Sequence, residues 1–338
     1  MKLKIHEFDM KLKYPFSISR HTYYSQPNIV LEVLYNGKSG YGEATINPYY
    51  QITIDNLKEC FLSMNIRLKH YTFESPDQLF DDFSDFLELN SFALGALNNA
   101  SWDLYGKLLD KPVSALIDLP KNTTPQTSYT LGIDNKNALI KKMEDLPWPI
   151  YKIKLGTSDD LDLVKSIRMH TDAKIRVDAN CAWDYQQTVI LSKELKTLDV
   201  EFIEQPLTAN SPDQNLCYNN SALPLIADES CCTESDVNKC KDHFHGINIK
   251  LLKCGGLSPA LRMIKKGRDL GLKIMIGCMT ESSVGISAAA QLLPYVDYAD
   301  LDGPLLLADD LATGLTFEYG KLSLSGKNGF GINFEGKD

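Results

Sequence analysis

The sequence predicts an α/β fold: a TIM-like (β/α) barrel with an α+β capping domain formed by the N-terminal region and the C-terminal tail. Three features carry this. Short apolar segments ending in a charged residue recur through the middle of the chain, an Asn-Gly hairpin with helices after it occupies the N-terminal third, and a Gly-rich β-like tail follows the last repeat. The repeated segments span residues 151–156, 175–180, 202–206, 224–230 and 247–250. Lys154, Asp178, Glu204, Asp228 and Lys250 follow one another at steps of 24, 26, 24 and 22 residues. Each step suits one strand, one crossover helix and two short loops. Repeated parallel βαβ units close into a barrel whose active site collects at the C-terminal strand ends. Three carboxylates flanked in sequence by two lysines should therefore converge on one cavity.

Each region has its own signal. Residues 1–10 alternate polar and apolar like a half-buried strand. Residues 28–35, the Asn36-Gly37 turn and residues 39–43 read as a hairpin, because Asn-Gly suits the tight primed turn. Helical periodicity follows at roughly 54–70, 76–88 and 91–109. In the last of these, Ala93, Leu94, Leu97, Ala100, Leu104 and Leu108 mix small and large apolar residues for close packing. Residues 128–132 read as the first barrel strand, and residues 272–277 and 298–302 complete eight. The resulting division is a capping domain over 1–120, the catalytic barrel over 121–314, and a segment over 315–338 that returns to the N-terminal sheet because the barrel is already closed.

Composition narrows the function. The 338 residues are 43% hydrophobic, enough for a large core, and no run is apolar enough to span a bilayer. The N-terminus lacks the apolar run of a signal peptide. Eight cysteines without a CxxC pair read as reduced thiols in a cytoplasmic protein. A net charge of −9 disfavours a nucleic-acid or anionic-membrane partner. With no GxGxxG or P-loop, a nucleotide is discounted.

The charged residues carry the chemistry. Asp178, Glu204 and Asp228 fit an octahedral Mg²⁺ site with positions left for water and substrate. Each Asp alone could be a helix cap, but Glu204 precedes Gln205-Pro206 and is no natural N-cap. Asn180 and Glu229 could support these ligands or fix loops. Lys152 and Lys154 share one strand face, Lys154 and Lys250 form the acid–base pair, and Lys152 is expected to face substrate. A cavity and a nearby cation would lower the lysine pKa values. Lys253, beyond the alternation and before a diglycine turn, reads as supporting. Asp300 and Asp302 share a face at the mouth of the eighth strand. Two more acids facing a metal site cannot easily all be ligands, so their better use is to bind a substrate cation such as an ammonium group, with helix capping before Pro304 as the alternative.

At these residues the chain resembles the enolase superfamily, in its muconate-lactonising-like branch. The likeness rests on the Lys-x-Lys strand, Asp178-Ala-Asn180, Glu204-Gln-Pro206, Ala227-Asp-Glu-Ser230 and Asn248-Ile-Lys250 with its following Lys253 and diglycine. Asp300-Leu-Asp302 before Gly303-Pro304 resembles the dipeptide epimerases, and residues 226–304 are most like the L-Ala-D/L-Glu epimerases. The resemblance implies a Mg²⁺-stabilised enediolate, with Lys154 serving the S epimer and Lys250 the R epimer. It also implies a small dipeptide substrate, its ammonium group on Asp300 and Asp302, and a role in murein peptide recycling. Arg20 matches a lid arginine near the substrate's glutamyl end, while His21, Tyr23 and Tyr24 depart from the small residues expected beside it. A homo-oligomer is left open. The alternatives are an o-succinylbenzoate synthase-like lyase, an N-acylamino-acid racemase, and a metal-retaining binding module without catalysis.

Overall fold

The computed structural model describes residues 1–18 and 21–336. The chain opens with three antiparallel strands, β1 (Lys2–Ile18), β2 (His21–Tyr35) and β3 (Lys38–Thr45), paired in the order β1-β2-β3. Asn36 (φ 49°) and Gly37 (φ 75°) are both left-handed at the turn, the conformation that makes Asn-Gly a hairpin signal. Three helices follow: α1 (Ile54–Leu68), capped by Thr53, α2 (Pro76–Asp82), capped by Ser75, and α3 (Phe86–Leu108). The helix expected over 76–88 stops at Asp82, and α3 begins earlier than the periodicity indicates. It is broken at Asn90 (φ −164°, ψ 92°), whose side-chain oxygen accepts from Ala93 N as a cap inside the helix.

The capping core joins Ile29, Leu31 and Val33 of β2 to Leu57, Phe61 and Met64 of α1 and to Phe92, Leu97 and Leu104 of α3. The close approach of α3 to β3 depends on glycine. A Cβ on Gly42 would lie 2.1 Å from the Ala96 carbonyl oxygen, and one on Gly40 would lie 2.1 Å from that of Ala100.

Eight parallel strands follow: β4 (Tyr129–Leu131), β5 (Ile150–Lys154), β6 (Lys174–Asp178), β7 (Val200–Glu204), β8 (Leu225–Ala227), β9 (Gly246–Lys250), β10 (Lys273–Gly277) and β11 (Tyr298–Asp300). They pair in sequence order, and a parallel bridge from Thr127 to Ala299 closes the ring. The outer helices are α4 (Lys136–Asp145), α5 (Asp160–Arg168), α6 (Tyr185–Thr197), α7 (Gln214–Asn220), α8 (Val237–Cys240), α9 (Leu251–Cys254), α10 (Leu257–Asp269), α11 (Ser283–Ala290) and α12 (Gly303–Leu306). Ile153, Val177, Ile203, Ile249 and Ile276 belong to the large barrel core. One position along from Ile203 and Ile276, on the opposite strand face, Phe202 and Met275 form a separate small cluster with Ile226 of β8 and Tyr298. The guanidinium of Arg176 lies over the rings of Phe202 and Tyr298.

The tail returns to the capping domain through side chains. It adds no strand to the N-terminal sheet; instead β12 (Ala312–Thr313) pairs with β15 (Asn333–Phe334), and β13 (Leu315–Glu318) with β14 (Lys321–Leu324). The β13–β14 turn meets the barrel, where Thr127 N donates to Gly320 O. The end of the chain meets the cap through side chains: the Phe334 ring lies against His6, Phe8 and Tyr41, and Phe330 N donates to Asp103. Ring packing and one buried carboxylate thus attach the tail to the cap. Among the described residues every cysteine is free, and no helix is long and apolar enough to cross a membrane.

Candidate active site

Parallel register sets up the site. Lys154 of β5 pairs in register with Asp178 of β6, and Asp178 with Glu204 of β7. Each ends its strand, so the three side chains leave the barrel at one level. Asp228 follows β8 by one residue and Lys250 ends β9. Ligand oxygens of Asp178, Glu204 and Asp228 all lie within 4.8 Å of one another, and all three residues are buried.

The flanking lysines bracket this group. Lys154 Nζ lies 2.6 Å from Asp178 Oδ2, and Lys250 Nζ lies 2.7 Å from Asp228 Oδ2. Lys152 reaches further inward: its Nζ is 3.1 Å from Asp178, 2.7 Å from Glu204 and 2.8 Å from Asp300. Lys253 is fully buried and donates to Asp228 Oδ1, Asp228 O, Cys231 O and Asn248 O. Its donors are thus spent on protein acceptors, whereas Lys250 lines the cavity. Burying this many charges is tolerable because each of these four lysines pairs with at least one acid.

The electrostatics follow from those pairings. Burial would raise Asp178, but Lys154 and Lys152 outweigh it and bring its carboxyl down to about 2. Asp228 is likewise held well below the usual carboxylate range by Lys250 and Lys253 against the effect of burial. Glu204 goes the other way, up to about 7, through burial and the charge of Asp178. Burial would lower Lys250, yet Asp228 raises it above an ordinary lysine; Lys152 is raised by Asp300, Glu204 and Asp178. Among the protein groups alone, therefore, ion pairing outweighs burial at Lys152 and Lys250.

The donor set suits a hard divalent cation: three carboxylates in reach of one another and no soft ligand. Glu204 Oε2 is a buried oxygen that receives no well-directed hydrogen bond, although Lys152 is near. Glu204 Oε1 accepts from Asn248 Nδ2 at 2.8 Å, a contact the sequence reading missed. It also missed the bridge made by Gln205, whose Oε1 accepts from Asp228 N and Ser230 N while its Nε2 donates to Leu207 O and Ser230 Oγ. Gln205 is left-handed (φ 35°), as are Asn180 (φ 45°) and Cys181 (φ 66°). Strain of this kind survives only where surrounding contacts hold it. One visible signal was the alternation of Asn248 with Lys250, which puts both on one strand face.

Above the carboxylates opens a cavity of about 520 Å³. Its floor and barrel wall include Lys152, Lys154, Asp228, Lys250, Asp300 and Asp302, and the cap covers it with Phe16, Ile18, His21, Tyr23, Tyr49 and Tyr50. Tyr24 is 72% exposed and points away. Arg20 lies outside the described residues. The two eighth-strand acids differ. Asp300 Oδ2 pairs with Lys152, and its Oδ1 accepts from Ser128 Oγ at 2.6 Å; against burial, Lys152 and Lys154 hold it below its ordinary value. Asp302 accepts from Thr130 N at 2.6 Å and, among the described residues, has no lysine within ion-pair distance, so burial and Asp300 push it up to about 7.

Comparison with known proteins adds to this geometry. The model of the mandelate racemase / muconate lactonizing enzyme N-terminal domain matches residues 1–118, and the enolase C-terminal domain-like model matches residues 137–338. The chain belongs to the enolase superfamily. It is 47% identical over 333 residues to an L-Ala-D/L-amino acid epimerase of Flavobacterium johnsoniae, covering 98% of this chain and 99% of that protein. It is 36% identical to an L-Ala-D/L-Glu epimerase of Bacteroides thetaiotaomicron, covering 98% and 88%. The crystal structure of a dipeptide epimerase from Enterococcus faecalis V583, complexed with Mg and the dipeptide L-Leu-L-Tyr, superposes with a TM-score of 0.90 at 29% identity over 98% of each chain. This superfamily member is therefore an isomerase of the epimerase class.

Proposed function

We propose that the protein is a Mg²⁺-dependent dipeptide epimerase that inverts an α-carbon by proton transfer between two lysines. Ala-Glu lies within its substrate range, and murein peptide recycling is the context. The observation that carries the reading is the bracketing: Lys154 and Lys250 flank the carboxylate group from opposite ends, each against its own carboxylate. A cation held by Asp178, Glu204 and Asp228 would supply positive charge to the substrate carboxylate and so acidify its α-carbon. Lys154 removes the α-proton from one face, and Lys250, as an ammonium, returns one to the other. The roles reverse for the opposite epimer. Lys152 lies between the ligand carboxylates and Asp300, where its charge faces the substrate carboxylate and lowers the cost of charge developing there. Asp302, with Asp300 behind it, receives the substrate's ammonium group, while the cap's aromatic rings exclude water.

Side chains entering this pocket meet Phe16, Ile18, Tyr23 and Tyr49. That supports acceptance of neutral and apolar residues beside glutamate. An o-succinylbenzoate synthase-like lyase would use the same lysines but give Asp302 no cation to bind, and an N-acylamino-acid racemase would face it with a neutral amide. The test is a dipeptide library incubated with protein and Mg²⁺ in D₂O, with deuterium uptake read by mass. Uptake into free dipeptides is expected; exchange confined to N-acylated amino acids, or dehydration without exchange, would overturn the reading.

A further inference from the structure

A second pair of buried acids lies where the cap meets the barrel. Glu43, in β3, is fully buried, and Glu281, between β10 and α11, is 4% exposed. Among the described residues neither has a lysine or arginine within ion-pair distance. Their hydrogen bonding is unequal. Glu43 accepts from Ser282 N at 3.0 Å, Ser282 Oγ at 2.5 Å, Gly285 N at 2.9 Å and Asn28 Nδ2. Three of these donors belong to the start of α11, so a cap carboxylate sits at the positive end of a barrel helix. Glu281 accepts from Met279 N at 2.8 Å. Glycines make room for it: a Cβ on Gly285 would fall 2.3 Å from Glu281 Oε2, and one on Gly303, the residue after Asp302, would fall 2.3 Å from the Glu281 backbone oxygen.

We propose that Glu43 and Glu281 are positioning residues that share one proton. Glu43 is the anion that seats the capping sheet on α11, and Glu281 is the neutral acid that fixes the cavity wall formed by residues 278–280. Both carboxyls lie against Gly285, and two such neighbouring buried carboxylates with no lysine or arginine in ion-pair reach cannot both ionise cheaply. The proton falls to Glu281 because the helix donors already stabilise charge on Glu43. Burial and then the Glu43 charge push Glu281 up to about 8, with Met279 N and Lys250 opposing. Burial also raises Glu43, while Ser282, Gly285 and Asn28 pull it back.

The wall so held touches both parts of the site. The cap's Asn47 Nδ2 lies 3.4 Å from Met279 Sδ, and Cys278 Sγ donates to Asp300 O at 3.2 Å. Glu281 thus fixes a segment lying between the cap and the proposed ammonium-binding acids. The kinetic consequence rests on the epimerase reading; the proton assignment does not.

Two isosteric substitutions in the full chain separate the roles. Glu281→Gln keeps an acceptor for Met279 N and needs no proton, so kcat and KM should stay within about twofold of the wild type. Glu43→Gln turns an amide toward the α11 donors. It should raise KM by roughly tenfold or more with a smaller change in kcat, and speed amide exchange at residues 282–285. Thermal melting against pH gives a readout independent of turnover. With its folded value raised from 4.5 to about 8, Glu281 contributes stability that is complete below 4.5 and is lost as pH rises through 8. Glu281→Gln should remove that slope and melt no lower than wild type at pH 8. Infrared difference spectra at pH 7 should show a protonated carboxyl lost in Glu281→Gln. An unchanged slope, no lost carboxyl band, or Glu281→Gln as damaging as Glu43→Gln would overturn the proposal. If Glu43→Gln does not fold, the slope and the infrared band decide alone. Failure of every dipeptide to turn over, with those two readouts as expected, would count against the epimerase reading only.

Discussion

Asp302→Asn offers the sharpest test of the substrate reading, because the two eighth-strand acids are partnered so differently. Asp300 already has Lys152 at 2.8 Å and Ser128 Oγ at 2.6 Å, whereas Asp302 has the backbone of Thr130 and, among the described residues, no lysine within ion-pair distance. An arriving ammonium group therefore adds most at Asp302. A hydrogen bond to a charged group is worth about 1.5–3 kcal/mol, and about 1.36 kcal/mol is a factor of ten. Asp302→Asn should then lower kcat/KM for Ala-Glu by roughly 10- to 150-fold. Acetylating the substrate's amino group in the wild-type enzyme should cost a similar factor. The two losses should not add: in Asp302→Asn, acetylation should cost little, since both changes remove one contact. Because Asp302 is pushed up to about 7, it is protonated below neutrality, so KM for free dipeptides should rise as pH falls through 7. That dependence should be absent in Asp302→Asn. The assay is deuterium uptake for Ala-Glu and N-acetyl-Ala-Glu in both proteins. Equal wild-type rates for the two substrates would falsify the ammonium assignment, and additive losses would show that the carboxylate acts elsewhere.

Lys154→Ala should abolish exchange starting from the S epimer and Lys250→Ala exchange from the R epimer, each variant still melting cooperatively; symmetric loss in both variants would rule out separate faces. Chelation should abolish turnover and Mg²⁺ should restore it, while Asp228→Asn, which also removes the anion opposite Lys250 and Lys253, should not recover at matched Mg²⁺; full recovery there would exclude Asp228 as a ligand. Gly42→Ala places a Cβ 2.1 Å from the Ala96 carbonyl, so α3 must move off the sheet at a cost of about 1–3 kcal/mol or more. Denaturant midpoints unchanged by that substitution would mean the helix and sheet are less closely seated than described.

The sequence by itself determined the barrel and its ring of charged residues. A parallel strand presents alternate side chains to one face, and a βα repeat of near-constant length returns the chain to the same level. Local pattern alone therefore brings Lys154, Asp178, Glu204, Asp228 and Lys250 together. The Asn36-Gly37 turn was legible for a similar reason, since few residue pairs take left-handed backbone at both positions. The helix break at Asn90 was less legible, because a polar side chain that caps from inside leaves the apolar periodicity almost intact. Tertiary structure alone decided the rest. Asn248 reaches Glu204 across 44 positions, Gln205 ties two strand-end loops together, and Glu43 meets α11 across 239. No periodicity encodes such contacts, because they depend on where two distant segments come to lie. The same holds for the unequal acids: Asp300 and Asp302 look alike in alternation, and only the position of Lys152 leaves one paired with a lysine and the other raised by burial and by Asp300.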